Sequence, residues 1–554
     1  MLLTGAQIII KVLIEQGVDT VFGYPGGTVL NIYDELYKHS DRIKHYTTCH
    51  EQGASHAADG YARVTGKTGV VIATSGPGAT NLVTGIANAY LDSTPLVAIT
   101  GNVATTMLGR DSFQEVDISG ITMPITKHNY LVKDIAGLAE TLREAFALAR
   151  SGRPGPVLID VTKDVQTGTA EFSPASAPPP EKPASCFDQA QLDEAAKLIR
   201  EAKRPYIYCG GGVVLSGASA ELIAFADRID APIGLSIMGL TAVPYAHPRF
   251  LGMVGMHGRY GATKALYESD LLIAVGTRFS DRATGNKAEF MGDRKVLQID
   301  IDPAEIGKNI GVTQSLVGDV KCVLAALMDA VPALAHKEWS DRVRYIKEHP
   351  DNNLEMNPKR LTPQSVIEGA CRRMGDGTVA TDVGQHQMWT TQYYQFKKPR
   401  TFVTSGGLGA MGFGLGAAIG ACVGRNFQRT LLFTSDGSFH MNLSELATAV
   451  TNALPLVIVV LNNQVLGMVR QWQTLFFDGR YSNTSLDRKT DFVKLAEAFG
   501  AAGFRAGTID AYEKCLDEAF KYDTPVLIDC TIDSDERVLP MIPPGGSIND
   551  IILR

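Results

Sequence analysis

The stretch RTLLFTSDGSFHMNLSELATAVTNALPLVIVVLNNQV, residues 429–465, decides how the chain is read. An apolar run at 429–434 leads into Ser435-Asp436-Gly437-Ser438, a helix-like stretch follows at 442–452, and a second apolar run at 454–461 ends in Asn462-Asn463. Short apolar runs bounded by turn residues are buried strands, and two joined by a helix form a parallel βαβ unit. Asp436 and Asn463, 27 residues apart, then both stand just past the carboxyl end of a strand. Ligands of open α/β sheets bind at that edge. A carboxylate and an amide carbonyl are hard oxygen donors suited to Mg²⁺, which fills its remaining positions with diphosphate oxygens and water. The bland alternative is a pair of ordinary βα turns, because Asp, Gly and Asn are turn residues anyway. Asp-Gly and Asn-Asn at a permitted spacing should arise by chance about once in a hundred chains of this length.

The same alternation of strand and helix extends outward. Further short apolar runs lie at 20–23, 69–74, 96–100 and 157–161, at 205–209, 232–235, 271–275 and 295–301, and at 378–381, 401–404 and 525–532. Runs of this kind separated by helical patterns mean parallel sheets covered on both faces. The expected fold is therefore α/β, with three doubly wound parallel-sheet domains. Two breaks set the boundaries. Residues 166–187 are rich in Pro, Ala and Ser, including Pro178-Pro179-Pro180, and 336–362 are polar and charged. The expected domains are 1–165, 188–335 and 363–540, with a tail at 541–554 whose Pro-Pro-Gly-Gly is expected to close over the site.

Composition narrows the function. A 45% hydrophobic and 20% charged balance is that of a globular protein, and a net charge of -7 without long runs of one sign argues against nucleic acid or an anionic membrane as the main partner. The eight cysteines are scattered without CxxC or metal-ligand spacing, as expected for reduced thiols. No apolar run approaches a membrane span, and the first apolar residues lack a basic leader, so the expected location is the cytoplasm.

A competing motif lies at Gly407-Leu-Gly409-Ala-Met-Gly412, which satisfies GxGxxG, with Asp436 about twenty residues on. It could mark a nicotinamide dinucleotide site. However, that fingerprint normally opens the first βα unit of its domain, whereas a strand and a helix precede it here. The dinucleotide reading also leaves the Asn pair unexplained. In the first domain Glu51 opens a small-residue helix. Its ordinary role there would be charge compensation at a helix N-terminus, worth under about a kcal/mol.

Taken in order, FGYPGG (22–27), HEQGASHAADGYAR (50–63), SGPGATN (75–81), FQE (113–115), ITKHNYLV (125–132), GRPGPVLIDVTKDV (152–165), MHG (256–258), RFSDRATGN (278–286), DVGQHQMW (382–389), GLGAMGFGLGAAIGA (407–421), SDGSFHMN (435–442), NNQVLGMVRQWQTLFF (462–477) and MIPPGG (541–546) cover the chain. From Gln7 to Ile551 it resembles the catalytic subunits of the acetolactate synthase (acetohydroxyacid synthase) family, which use thiamine diphosphate. The resemblance implies a pyrimidine-binding first domain, a central FAD-binding domain and a diphosphate-binding third domain. Two positions depart from the family pattern. Ser435 stands where Gly precedes Asp-Gly, and Ser280 stands where Asp follows Arg-Phe.

The resemblance implies these roles. Asp436, Asn463 and the carbonyl of Val465 hold Mg²⁺. Pro77, Asn81, Gln385, His386, Gly409, Gly437 and Ser438 meet thiamine diphosphate, and Met411 wedges its two rings into a V. Glu51 hydrogen-bonds the aminopyrimidine from a second subunit, so a homodimer is the smallest active unit. Gly27, Gln114 and Lys163 position pyruvate. Arg282, Trp472 and Met256 receive the second substrate, with Trp472 favouring 2-oxobutanoate. Arg153, Gly210, Gly211, Gly212, Met256, His257, Gly258, Thr277, Arg278, Asp300, Ile301 and Asp319 hold an FAD with no redox role. The implied reaction decarboxylates pyruvate and joins the remaining two carbons to a second pyruvate or to 2-oxobutanoate. The products are 2-acetolactate or 2-aceto-2-hydroxybutanoate, the first common step towards valine, leucine and isoleucine. Dimers of dimers and a small regulatory subunit belong to the same picture. The alternatives are another thiamine diphosphate-dependent 2-oxo acid decarboxylase or carboligase, a nicotinamide oxidoreductase, and a catalytically silent binding subunit.

Overall fold

The structure is a computed structural model that describes residues 1–175, 187–349 and 360–553. It contains three six-stranded sheets, each parallel throughout. The first is built from Thr20–Tyr24, Lys44–Thr47, Gly69–Ala73, Leu96–Asn102, His128–Val132 and Pro156–Thr162. Numbered along the chain, these strands lie side by side as 2-1-3-4-6-5. The third sheet, from Thr378–Thr381, Phe402–Val403, Thr430–Ser435, Leu456–Asn462, Ala502–Ala506 and Val526–Thr531, has the same order. The central sheet, from Pro205–Cys209, Ile233–Leu235, Phe250–Met253, Leu271–Val275, Lys295–Asp300 and Gln314–Val317, runs 3-2-1-4-5-6. Inner strands such as Leu456–Asn462 are apolar at nearly every position because helices cover both faces.

Within these three sheets, five strands lie outside the sequence-based expectation: Lys44–Thr47, His128–Val132, Phe250–Met253, Gln314–Val317 and Ala502–Ala506. All five are at sheet edges. An edge strand has one neighbour and most of these are part-exposed, so polar residues are tolerated and the apolar run is lost.

The expected boundaries shift at two places. Leu2–Thr4 pairs antiparallel with Thr169–Glu171, and the Phe172 side chain is buried, so the first domain extends beyond 165 into the expected linker. The rest of that linker around Pro178-Pro179-Pro180 lies outside the described residues. The second expected linker begins with a helix, Lys337–Glu348, which buries Trp339, Val343 and Ile346 against the central domain. Trp339 Nε1 donates to the Pro205 carbonyl at 2.9 Å. Residues 350–359 of that linker lie outside the described residues. The tail is already docked. Met541 and Ile552 form an antiparallel bridge, Ile542 N–H donates to the Met256 carbonyl (2.8 Å), and Asn286 N–H donates to the Gly546 carbonyl (2.9 Å).

The first and third domains meet through two helices, Glu51–Thr65 and Phe413–Gly424, both rich in Gly and Ala. A Cβ on Gly60 would lie 2.2 Å from the Ala417 carbonyl oxygen, and one on Gly420 only 1.8 Å from that of Ala57. Backbone packs directly on backbone, which only glycine permits. This close crossing sets the two outer domains in one arrangement within the chain.

Candidate functional site

In a sheet ordered 2-1-3-4-6-5 the chain direction across the sheet reverses between the first and third strands, and ligand crevices open at that point. In the third domain this crevice lies between Thr378–Thr381 and Thr430–Ser435. Asp436 opens the helix Asp436–Asn442, capped by Ser435, whose Oγ accepts the Ser438 N–H (3.2 Å). Ser435 therefore carries out a task that glycine cannot. Ser438 Oγ in turn donates to the Val383 carbonyl (2.9 Å) across the crevice. A Cβ on Gly437 would press on Leu466.

Asp436 is buried, its Oδ1 has no partner among the described residues, and burial pushes its pKa up to about 6. A buried carboxylate with a free oxygen is costly unless a cation meets it. Asn463 is buried on the adjacent strand end. Its Oδ1 accepts the Val465 N–H at 3.3 Å, and its Nδ2 lies 3.5 Å from Gln385 Oε1. No group of three or more His, Cys, Asp or Glu side chains among the described residues could hold a metal. Asp436 with amide and backbone oxygens is the hard, sparse donor set that suits magnesium.

Gln385 and His386 begin the helix Gln385–Tyr393. The Gln385 amide donates to Gln471 Oε1 (3.0 Å) and the Glu536 carbonyl (2.8 Å), so its side chain faces the protein. The helix N-terminus leaves backbone N–H groups for an anion. Burial holds His386 neutral, with its pKa pushed down to about 3, and its Nε2 is without a partner among the described residues. Gly409 adopts a positive φ of 69°, and Met411 beside it is half-buried. Asp382 shapes this loop by accepting N–H groups from Gly412 (2.8 Å) and Gly414 (3.1 Å).

The corresponding crevice of the first domain lies between Thr20–Tyr24 and Gly69–Ala73. Gly27 is open to solvent, and Thr28 and Thr74 join through their hydroxyls at 2.9 Å. Pro77 begins, and Asn81 ends, the short helix that follows the third strand. Asn81 Nδ2 donates to Glu51 Oε2 at 2.9 Å. Gln114 sits at φ 60° on a loop tied down by Glu115, and its backbone packs against Gly76. Lys163 is exposed at the head of Lys163–Thr167, and the helix is held to the Gly27 turn by Gln166, which donates to the Thr28 carbonyl (2.8 Å).

A cavity of about 1100 Å³ opens at the carboxyl edge of the central sheet. Of the residues expected to hold FAD, Arg153, Gly211, Gly212, Met256, His257, Thr277, Arg278, Asp300, Ile301 and Asp319 line it, but Gly210 and Gly258 do not. Those two glycines are required behind the wall. A Cβ on Gly210 would lie 2.1 Å from the Gly276 carbonyl oxygen, and one on Gly258 would lie 2.5 Å from that of Met253. Arg153 Nη1 pairs with Glu305 (2.9 Å), and Asp319 caps the helix Val320–Ala330. Burial pushes Asp300 up to about 6 and His257 down to about 4, so the cavity wall disfavours charge on both. Gly409, Arg282 and Trp472 line the same cavity, which joins the central domain to the third.

The acceptor residues, far apart in sequence, converge. The Arg282 guanidinium lies over the Trp472 ring (5.6 Å) and its Nη1 lies 3.9 Å from Met256 Sδ. Met256, Trp472, Leu539, Met541 and Ile552 pack as one small apolar cluster under the tail. Four residues that shape the site were given no role by the sequence: Asp382 and Gln471, which lie within the motifs at 382–389 and 462–477, and Asp92 and Glu445, which lie in none. Glu445 accepts the N–H groups of Cys49 (3.2 Å) and His50 (2.9 Å) and so anchors the start of the Glu51 helix from the third domain. Nothing local marks Asp92 and Glu445, because each acts on a distant backbone.

Known proteins bear on this geometry. Three family models match in order: the N-terminal TPP binding domain of the thiamine pyrophosphate enzymes at 3–121, their central domain at 192–327, and their C-terminal TPP binding domain at 382–530. The chain is 46% identical to the probable acetolactate synthase large subunit of Methanocaldococcus jannaschii, covering 99% of this chain and 95% of that protein. It is 46% identical to the acetolactate synthase large subunit of Corynebacterium glutamicum (99% and 90%). It is 44% identical to the acetolactate synthase isozyme 2 large subunit of Escherichia coli (99% and 99%).

Proposed function

Because the chain belongs to the thiamine pyrophosphate enzymes, among their acetolactate synthase large subunits, we propose that it decarboxylates pyruvate and joins the remaining two carbons to a second pyruvate or to 2-oxobutanoate. When bound, thiamine diphosphate supplies a nucleophilic ring carbon and an electron sink for the bond that the lost carboxyl group leaves. The residues have the following parts. Asp436, Asn463 and the Val465 carbonyl hold Mg²⁺, which the unpartnered Asp436 Oδ1 supports. The N-terminus at Gln385 and His386, with Gly437 and Ser438 across the crevice, receives the diphosphate. Gly409 gives Met411 its approach to the cofactor. Glu51, steered by Asn81, holds a proton at the aminopyrimidine. Gly27, Gln114 and Lys163 orient the pyruvate carboxylate and carbonyl.

The acceptor site carries the specific reading. A guanidinium stacked on an indole, with a methionine beside it, offers a carboxylate partner next to an apolar wall, which is the shape of a 2-oxo acid with a short alkyl chain. The large cavity is proposed to take FAD. Its half-buried Arg278 and Arg153 suit the diphosphate, and its size suits a dinucleotide. The chain is proposed to act as a homodimer, with Glu51 and Asp436 serving one site from two subunits. Leu30, Phe113 (87% exposed) and Met123 in the first domain and Met441 and Phe477 in the third are exposed, apolar surface that a second copy would cover. The relatives are named large subunits, which supports a separate small subunit.

The test is product analysis. The purified chain, given Mg²⁺, thiamine diphosphate, FAD and pyruvate, is expected to form acetolactate, and mainly the mixed acid when 2-oxobutanoate is added. Acetaldehyde alone would contradict the acceptor site, and untouched pyruvate would contradict the reading as a whole.

A further inference from the structure

A buried ionic knot joins the first domain to the glycine loop that leads to Met411. Arg63 is nearly fully buried. Its Nε donates to Asp59 Oδ1 (2.5 Å), its Nη2 to Asp92 Oδ2 (2.8 Å), and its Nη1 to the Thr404 carbonyl (2.8 Å). Asp92, whose side chain is fully buried, accepts the N–H groups of Gly406 (3.0 Å) and Gly407 (2.7 Å). The fit is close, since a Cβ on Gly407 would lie 2.9 Å from Asp92 Oδ1. A second limb runs alongside. Asn88 bridges Asp59 Oδ2 (2.7 Å) and Ser405 Oγ (2.5 Å), and Ser405 Oγ accepts the Ala410 N–H (3.0 Å).

We infer that Asp92, gripped by Arg63, is a positioning residue that sets the loop 406–411, and with it Met411, in the shape the cofactor requires. The physical reason is the chemistry of the loop. Three glycines within 406–409 leave the backbone with little conformational preference of its own. Residues 406–409 are solvent-exposed, so packing does not order them. A carboxylate can accept two adjacent N–H groups and a guanidinium at once, and charge-assisted bonds of this kind are the strong ones. An asparagine of the same size would turn a donor towards one N–H group or towards the guanidinium. The buried Arg63 prevents the alternative in which Asp92 turns out to solvent. The GxGxxG at 407–412 thus serves as the receiver of a first-domain carboxylate.

The inference rests on the reading of Met411 as a cofactor residue, and the experiment separates the two. Asp92→Asn, Ser405→Ala and Met411→Ala are made in the full-length chain. Hydrogen–deuterium exchange is followed in the peptide covering 404–412 without cofactor, and thiamine diphosphate binding is titrated by fluorescence at saturating Mg²⁺. Asp92→Asn should speed exchange in that peptide and weaken thiamine diphosphate about tenfold, as is usual when a supporting partner is lost. The Michaelis constant for pyruvate at saturating cofactor should stay near wild type. Ser405→Ala should act in the same direction more weakly, and it keeps the test open if Asp92→Asn folds poorly. Unchanged exchange in both variants overturns the inference. So does faster exchange with unchanged affinity while Met411→Ala weakens binding. Unchanged affinity in all three removes the assignment of Met411, and the inference with it.

Discussion

The first and third sheets share one strand order, 2-1-3-4-6-5, and open their crevices at the same topological point, yet they furnish them differently. The third domain places a buried carboxylate with a free oxygen, a buried amide and two helix N-termini there, a set that suits a metal and an anion. The first domain places two threonine hydroxyls, open glycine and the Asn81–Glu51 pair there, which suits a neutral heterocycle and a substrate. Topology supplies the place, and the residues at the strand ends decide what is bound. The central sheet, ordered 3-2-1-4-5-6, makes the contrast from the other side by opening a crevice large enough for a dinucleotide.

The contrast can be broken by experiment. If the first domain does proton chemistry, Glu51→Gln should cut turnover about a hundredfold or more while cofactor affinity stays near wild type. Steady-state kinetics with a parallel binding titration decides this, and a nearly full rate would remove the role. If the third domain does the anchoring, the opposite pattern holds. Asp436→Asn should weaken Mg²⁺-dependent thiamine diphosphate binding by about 2 kcal/mol, roughly thirtyfold, as for a lost charged contact. Calorimetry at fixed Mg²⁺ checks it.

The buried-acid environment of the first domain is sharpened by pH. In the first domain Asp160 is buried, bonded to Thr100 and Asn102, and its pKa is pushed up to about 7. A raised carboxyl keeps its proton in the fold when the unfolded chain has lost it. Its stabilisation is therefore complete below about pH 4 and is lost as pH rises through about 7, at up to about 1.4 kcal/mol per pH unit. Denaturant midpoints between pH 4 and 8 should fall less steeply for Asp160→Asn than for wild type. The smallest effect concerns the joint between the third and central domains. Trp472→Leu should lower preference for 2-oxobutanoate over pyruvate by about 1 kcal/mol, roughly fivefold, read from product ratios in competition. Unchanged ratios would move acceptor choice elsewhere.

Much of this was legible before any coordinates. The decisive strands are apolar runs because both faces are buried, and each ends in a residue whose chemistry is visible. The edge strands were not, since Lys44–Thr47 or Ala502–Ala506 buries too little to show a pattern. Helix Lys337–Glu348 read as a linker because its charges outnumber the three side chains it buries. Among site residues, Asp436, Asn463 and Glu51 stand in recognisable motifs, whereas Asp92 and Glu445 do not, because the backbone groups they hold lie more than three hundred residues away.

By itself, then, the amino-acid sequence determined the three α/β units, the strand ends that carry chemistry and the family to which they belong. These follow from burial and from residue type, which are local properties. Only the tertiary structure decided that the outer sheets share one strand order, that Met256, Arg282 and Trp472 meet under the tail, and that a carboxylate of the first domain holds the glycine loop of the third. Those depend on which distant surfaces fit closely enough to exclude water, and no local pattern encodes that fit.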